Sequence, residues 1–94
     1  VTKDFALRLL PLREGDAAAM IAETRGAEVL KSVRGRPACD IASLIAALES
    51  LADFAVQAGD DLAEVDLNPI IVLPEGHGCV AVDALIVPRR PTTL

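Results

Sequence analysis

Glu64-Val65-Asp66-Leu67-Asn68-Pro69-Ile70-Ile71-Val72, then Pro74-Glu75-Gly76-His77-Gly78, then Cys79-Val80-Ala81-Val82-Asp83, is the stretch that decides how this chain folds. Side chains alternate along a strand, so Glu64, Asp66 and Asn68 project one way while Val65 and Leu67 project the other. A polar row therefore backs an apolar one. Two β-rich runs around a Gly-containing loop predict a hairpin, with Ala63 to Leu73 against Cys79 to Val87. Opposed residues of an antiparallel pair share a face. Asn68 and Asp83 thus meet if the loop is effectively Glu75-Gly76 alone or Pro74 to His77. A slip of one residue would send Asp83 to the opposite face.

Upstream of the hairpin, Asp40 is placed to cap a long helix from Ile41 to about Ala58, ending at Gly59. Ile41, Leu44, Ile45, Leu48, Leu51, Ala52 and Ala55 follow the three-and-four spacing of one buried face, and Glu49 and Asp53 fall on the wet side. Asp16 is the expected cap of a short alanine-rich helix, Ala17 to Thr24, stopped near Gly26. Phe5 to Leu10 reads as a strand with Phe5, Leu7 and Leu9 on one face and Arg8 on the other, ended by Pro11. Ala27 to Val33 suits either a strand or a helical turn. Pro88 to Leu94, with two prolines and no apolar pattern, reads as a tail behind a single domain of residues 1–87. The expected class is α+β: a two-layer sandwich, mostly antiparallel sheet covered by two helices.

Ninety-four residues bound this to one small domain with a thin core. Apolar residues make up 52%, nearly all alanine and aliphatics, with Phe5 and Phe54 the only aromatics. A net charge of −5 repels phosphate backbones and few rings are present to stack bases, so nucleic-acid binding is disfavoured. Cys39 and Cys79 are isolated, which suggests core thiols rather than a zinc site or disulfide framework. No apolar run approaches bilayer length on this reading, and no signal peptide is visible, so a cytoplasmic protein is expected. The start at Val1 suggests a piece of a longer polypeptide.

Magnesium prefers octahedral oxygen coordination and is usually held by one or two carboxylates together with substrate phosphates. An Asp and an Asn on adjacent strands meet that need. The spacing alone is weak, because Asn-Pro commonly terminates strands and Asp is common in turns. The wording of the segment carries more. Glu64 to Val72 with Val80-Ala81-Val82-Asp83-Ala84 resembles the closing motif of the ATP-grasp domain in NDP-forming acyl-CoA synthetases, relatives of the succinyl-CoA synthetase β subunit. Phe5 to Leu12, and Leu30-Lys31-Ser32-Val33-Arg34-Gly35-Arg36-Pro37 with Asp40, resemble the stretch that precedes that motif in the same synthetases.

The resemblance implies the C-terminal subdomain of an ATP-grasp fold, with Asn68 and Asp83 holding the Mg2+ that bridges ATP or ADP phosphates. Asp66, at the acidic position before the Asn, is implied as a second metal ligand, a water holder or an orienter of Asn68. Arg34 falls in the family-like Arg-Gly pair, where a guanidinium can grip phosphate oxygens; pairing with neighbouring carboxylates explains it equally well, and is the better reading for Arg36. The implied reaction interconverts acyl-CoA, ADP and phosphate with free acid, CoA and ATP. It passes through an acyl phosphate and a phosphorylated histidine outside this segment; His77 is read as an exposed turn residue.

The glycine-rich phosphate loop and phosphate-binding lysine of ATP-grasp enzymes are not visible here. The expected partner is therefore the remainder of the synthetase: the N-terminal ATP-grasp subdomain and the CoA-binding and phosphohistidine domains, through which acyl-CoA is met. The segment alone is expected to be inactive. A second copy of the chain is another partner that an exposed apolar face would suit. The competing reading is a stand-alone interaction or regulatory module that kept the fold without activity. A calcium-binding domain is disfavoured, since calcium usually takes six to eight oxygens from a flexible loop.

Overall fold

The computed structural model describes residues 5–24, 26–31 and 37–89. Among the described residues, three helices and a hairpin make up the fold: α1 (Asp16–Glu23), α2 (Ala27–Leu30), α3 (Ile41–Ala58), a 3-10 turn (Gly59–Asp61), then β1 (Leu62–Leu67), β2 (Ile70–Val72), β3 (Cys79–Ala81) and β4 (Ala84–Pro88). It is the expected α+β class, an antiparallel hairpin layer against helices. Helix α3 is the spine, packing on α1, β1 and β2.

Helix α3 begins and ends where its sequence predicts. Asp40 accepts the Ser43 N–H at 3.0 Å, which satisfies one of the donors a helix start leaves open. Gly59, at φ 52°, takes a positive-φ backbone that suits glycine, and its N–H donates to the Ala55 carbonyl to close the other end. Ile41–Asp61 is, by length and composition, apolar enough to cross a bilayer, with mean hydropathy 1.5. This corrects the expectation that no run approaches that length. Glu49 and Asp53 nonetheless stand mid-helix on the exposed side, and a carboxylate at a transmembrane helix centre costs about 3 kcal/mol. Such charges suit a helix with one face in water.

One local expectation gives way, and one open reading is decided. Asp16 is not the α1 cap: Gly15, at φ 85°, holds that position, and Asp16 begins the helix while its carboxylate reaches back to accept the Arg13 N–H at 2.8 Å. Ala27–Leu30 is a helical turn rather than a strand, and residues 32–33 lie outside the described residues.

Phe5 to Leu10 forms no regular element, with a bend at Leu10, and pairs with no strand among the described residues. Its Arg8 face turns inward, where the guanidinium grips the Glu23 carboxylate and lies 3.9 Å from Asp16. The apolar face turns outward, leaving Phe5 62%, Leu7 76% and Leu9 91% exposed. A strand needs a neighbour to bond its N–H and C=O groups, and none is adjacent among the described residues.

The core is correspondingly thin. Among described apolar residues only Ala17 and Ala52 are buried, and no large side chain is fully enclosed. The accessible surface is 7412 Å², whereas a compact monomer of 9.8 kDa would expose about 5,200 Å². The radius of gyration is 15.3 Å, against about 12 Å for a compact domain of this length.

Candidate metal and nucleotide half-site

The hairpin adopts the register that joins the predicted pair. In β1 and β4, Asp66 faces Leu85 and Leu67 faces Ala84; in β2 and β3, Ile70 faces Ala81 and Val72 faces Cys79. Both ladders share one alignment, and it places Asn68 opposite Asp83, where the Asn68 N–H donates to the Asp83 carbonyl at 3.2 Å. The turn between them is Pro74 to His77, closed by the His77 N–H donating to the Pro74 carbonyl at 2.9 Å. Gly76, at φ 87°, supplies the left-handed residue it needs.

Asn68 and Asp83 stand at the joint between the two ladders. Pro69 has no N–H to give, and its carbonyl accepts from the Val82 N–H at 2.9 Å. Alternation survives up to this point. Glu64, Asp66 and Asn68 are exposed while Val65 and Leu67 are half-buried, even though a bulge between Leu62 and Glu64 shifts the start of β1. Directly opposed antiparallel residues have Cβ atoms about 4.5–5.5 Å apart, a separation that one small cation held by two short oxygen-bearing side chains can span. Asp83 Oδ1 accepts the Ala84 N–H at 2.9 Å, which orients the carboxylate. No described group hydrogen-bonds its other oxygen, or the side chains of Asp66 and Asn68.

The donor set fits magnesium as a partial shell. Among the described residues no three His, Cys, Asp or Glu side chains cluster as a metal site, so the remaining ligands would come from phosphate and water. Arg34 and Arg36 lie outside the described residues. His77 is exposed in the turn, as expected.

Sequence reading missed a second polar centre. Asp40 is only 7% exposed. One carboxylate oxygen caps α3, and the other accepts the N–H groups of Gly76 at 3.1 Å and Gly78 at 2.8 Å. These backbone donors, Gly78 foremost, hold the Asp40 carboxyl below its usual pKa. The neighbouring backbone joins in. Asp40 N–H donates to the Leu73 carbonyl at 2.7 Å, Glu75 N–H donates to Ala38 at 2.8 Å, and Cys39 bridges Pro74. The one signal in the sequence was an Asp serving as a cap, whose second oxygen had no assigned donor.

Between α1, α2 and α3 lies an apolar trough. Ala6, Met20, Ile21, Leu30, Leu44 and Leu48 line a concavity of about 500 Å³. Met20 and Leu48 also border a second one of about 260 Å³, floored by Leu51, Ala52, Ala55 and Val65.

Residues 1–87 match the ATP-grasp domain family model. The chain belongs to the ATP-grasp family. It is 34% identical over 87 residues to the β subunit of an ADP-forming acetate–CoA ligase II of Pyrococcus furiosus, covering 93% of this chain but 37% of that subunit. It is 41% identical over 81 residues to a trans-feruloyl-CoA synthase from an unknown prokaryote, covering 82% of this chain and 11% of the synthase. Among solved structures, it superposes with TM-score 0.78 at 38% identity on an acetyl-coenzyme A synthetase of Candidatus Korarchaeum cryptofilum in complex with coenzyme A and Mg-AMPPCP. That match covers 87% of this chain and 37% of the synthetase chain. This ATP-grasp chain thus spans a little over a third of that synthetase chain and of the Pyrococcus subunit.

Proposed function

We propose that this chain supplies the magnesium-holding half of the nucleotide site of an NDP-forming acyl-CoA synthetase. The parent reaction would be acyl-CoA, ADP and phosphate to acid, CoA and ATP. The carrying observation is the opposition of Asn68 and Asp83 across the hairpin joint, supported by membership of a nucleotide-binding family and likeness to a synthetase solved with Mg-AMPPCP. Asn68 and Asp83 hold Mg2+, and Asp66, on the same face, holds a water or orients Asn68. Bound magnesium would neutralise phosphate charge and so ease transfer at phosphorus. The chain's own contribution is placement: two oxygen donors fixed across one β pair and open to solvent on the side from which a nucleotide arrives.

The rest of the synthetase completes the site. Its N-terminal ATP-grasp subdomain covers the α1–α3 trough and the Phe5, Leu7, Leu9 row, which accounts for the surplus apolar surface, and the isolated chain is inactive. Arg34 remains a candidate phosphate ligand. In the full-length protein, Asp83→Ala and Asn68→Ala should each weaken magnesium-dependent nucleotide binding by about tenfold or more, measured by titrating nucleotide at several Mg2+ concentrations. Unchanged magnesium dependence in both variants would remove the assignment.

A further inference from the structure

The metal pair can form only if two strands keep one alignment, and the alignment is set where the chain reverses. In both ladders the facing residues continue the pairing that begins at the Pro74–His77 turn. A free turn of this kind is held by a single closing bond and can slip or fray. Here it is fastened from outside by a residue more than thirty positions away, since the Gly76 and Gly78 N–H groups both donate to one oxygen of Asp40. The other oxygen is occupied by Ser43, at the start of α3. A single buried carboxylate therefore ties the end of the hairpin to the start of the longest helix.

We infer that Asp40 is the positioning residue of the Asn68–Asp83 pair, fixing the register and the seat of the hairpin on α3; this rests on reading that pair as the magnesium-holding half-site. Asp40 itself does not touch metal or nucleotide. Its two oxygens have separate duties, so an amide cannot replace it: the carbonyl oxygen of Asn can accept from Ser43 or from the two glycines, and its NH2 can accept from neither.

The test uses the full-length synthetase, with Mg2+ and ADP as probes, in Asp40→Ala, Asp40→Asn, Asp83→Ala and the Asp40→Ala/Asp83→Ala double variant. Asp40→Ala should raise the Mg2+ concentration for half-maximal nucleotide binding about tenfold while changing metal-free nucleotide affinity less than about twofold. Asp40→Asn should fall between Asp40→Ala and the parent. In the Asp83→Ala background, Asp40→Ala should add nothing, because the pair it positions is already broken. Equal loss of metal-free and metal-dependent binding, or additive effects in the double variant, would overturn the inference and leave Asp40 a purely structural residue. If Asp40→Ala does not fold, the same ratio measured in Asp40→Asn decides. An Asp83→Ala protein with intact magnesium dependence would instead sink the half-site reading itself, whereas a sensitive Asp83→Ala beside an insensitive Asp40→Ala sinks only the role of Asp40.

Discussion

Around Asp40 the backbone of the 74–78 turn finds its partners inside the chain, with Gly76, Gly78 and Glu75 all donating to the 38–40 segment. Beside α1 and α3 the reverse holds: Phe5, Leu7 and Leu9 face solvent, and Leu44 and Leu48 line an open trough. One region satisfies polar groups locally. The other presents apolar surface that none of the described residues covers. Hydrogen bonds are directional and must be closed by a group at hand, whereas apolar burial is non-directional and can be supplied by another part of a larger protein. The polar end should therefore behave alike in the isolated chain and in the parent, and the apolar flank should not.

The largest effect expected from this contrast is at Leu48, which borders both concavities. Leu48→Asp should cost the full-length protein about 3 kcal/mol or more, because the new charge would be buried under the covering subdomain. The same change should cost the isolated chain under about 1 kcal/mol, as read by denaturant unfolding of each. Equal costs would mean that the trough stays open in the parent.

Acid should act on the other region first. The folded pKa of Asp40 is lowered, so its contribution is fully present above the ordinary carboxylate value of about 4 and is lost as pH falls through the lower folded value. Amide exchange at Gly76 and Gly78 should accelerate over that range before amides in the middle of α3 do. Simultaneous loss at both places would show that Asp40 is not a local fastening. Glu23 is also lowered, chiefly by its hydrogen bond to Arg8, and its contribution has the same sign.

The smallest effect is expected at that exposed Arg8–Glu23 pair. Arg8→Ala should lower Tm by about 2 °C or less, and the difference should vanish in roughly 0.5 M salt. A larger, salt-independent loss would mean that Arg8 holds the 5–10 segment against α1 through the packing of its aliphatic stem.

Much of the polar region could be read from the sequence. The alternation of Glu64, Asp66 and Asn68 with Val65 and Leu67, the Glu75-Gly76 turn and the span of α3 follow from side-chain period and cap chemistry, which act over a few residues. What could not be read lies at longer range. Nothing near Asp40 in sequence reveals that its second oxygen meets two glycines across the fold. The alternation in Phe5 to Leu9 does indicate an extended segment, but pairing requires a neighbouring strand, and the described residues place none beside it. Asp16 shows the limit of local chemistry as well: the same carboxylate can cap a helix from outside or bond backward from its first turn, and Gly15 took the outer place.

The shared alignment of the two ladders also limits how this protein can vary. With the four-residue turn kept, adding or removing one residue between Leu73 and Gly78 would interchange the faces of everything beyond it and part Asp83 from Asn68. A change of two would restore the pairing but would present Asp40 with different backbone donors. Among insertions and deletions, then, the turn is constrained twice, in parity by the strands and in length by a carboxylate on the neighbouring helix, although its own side chains lie exposed.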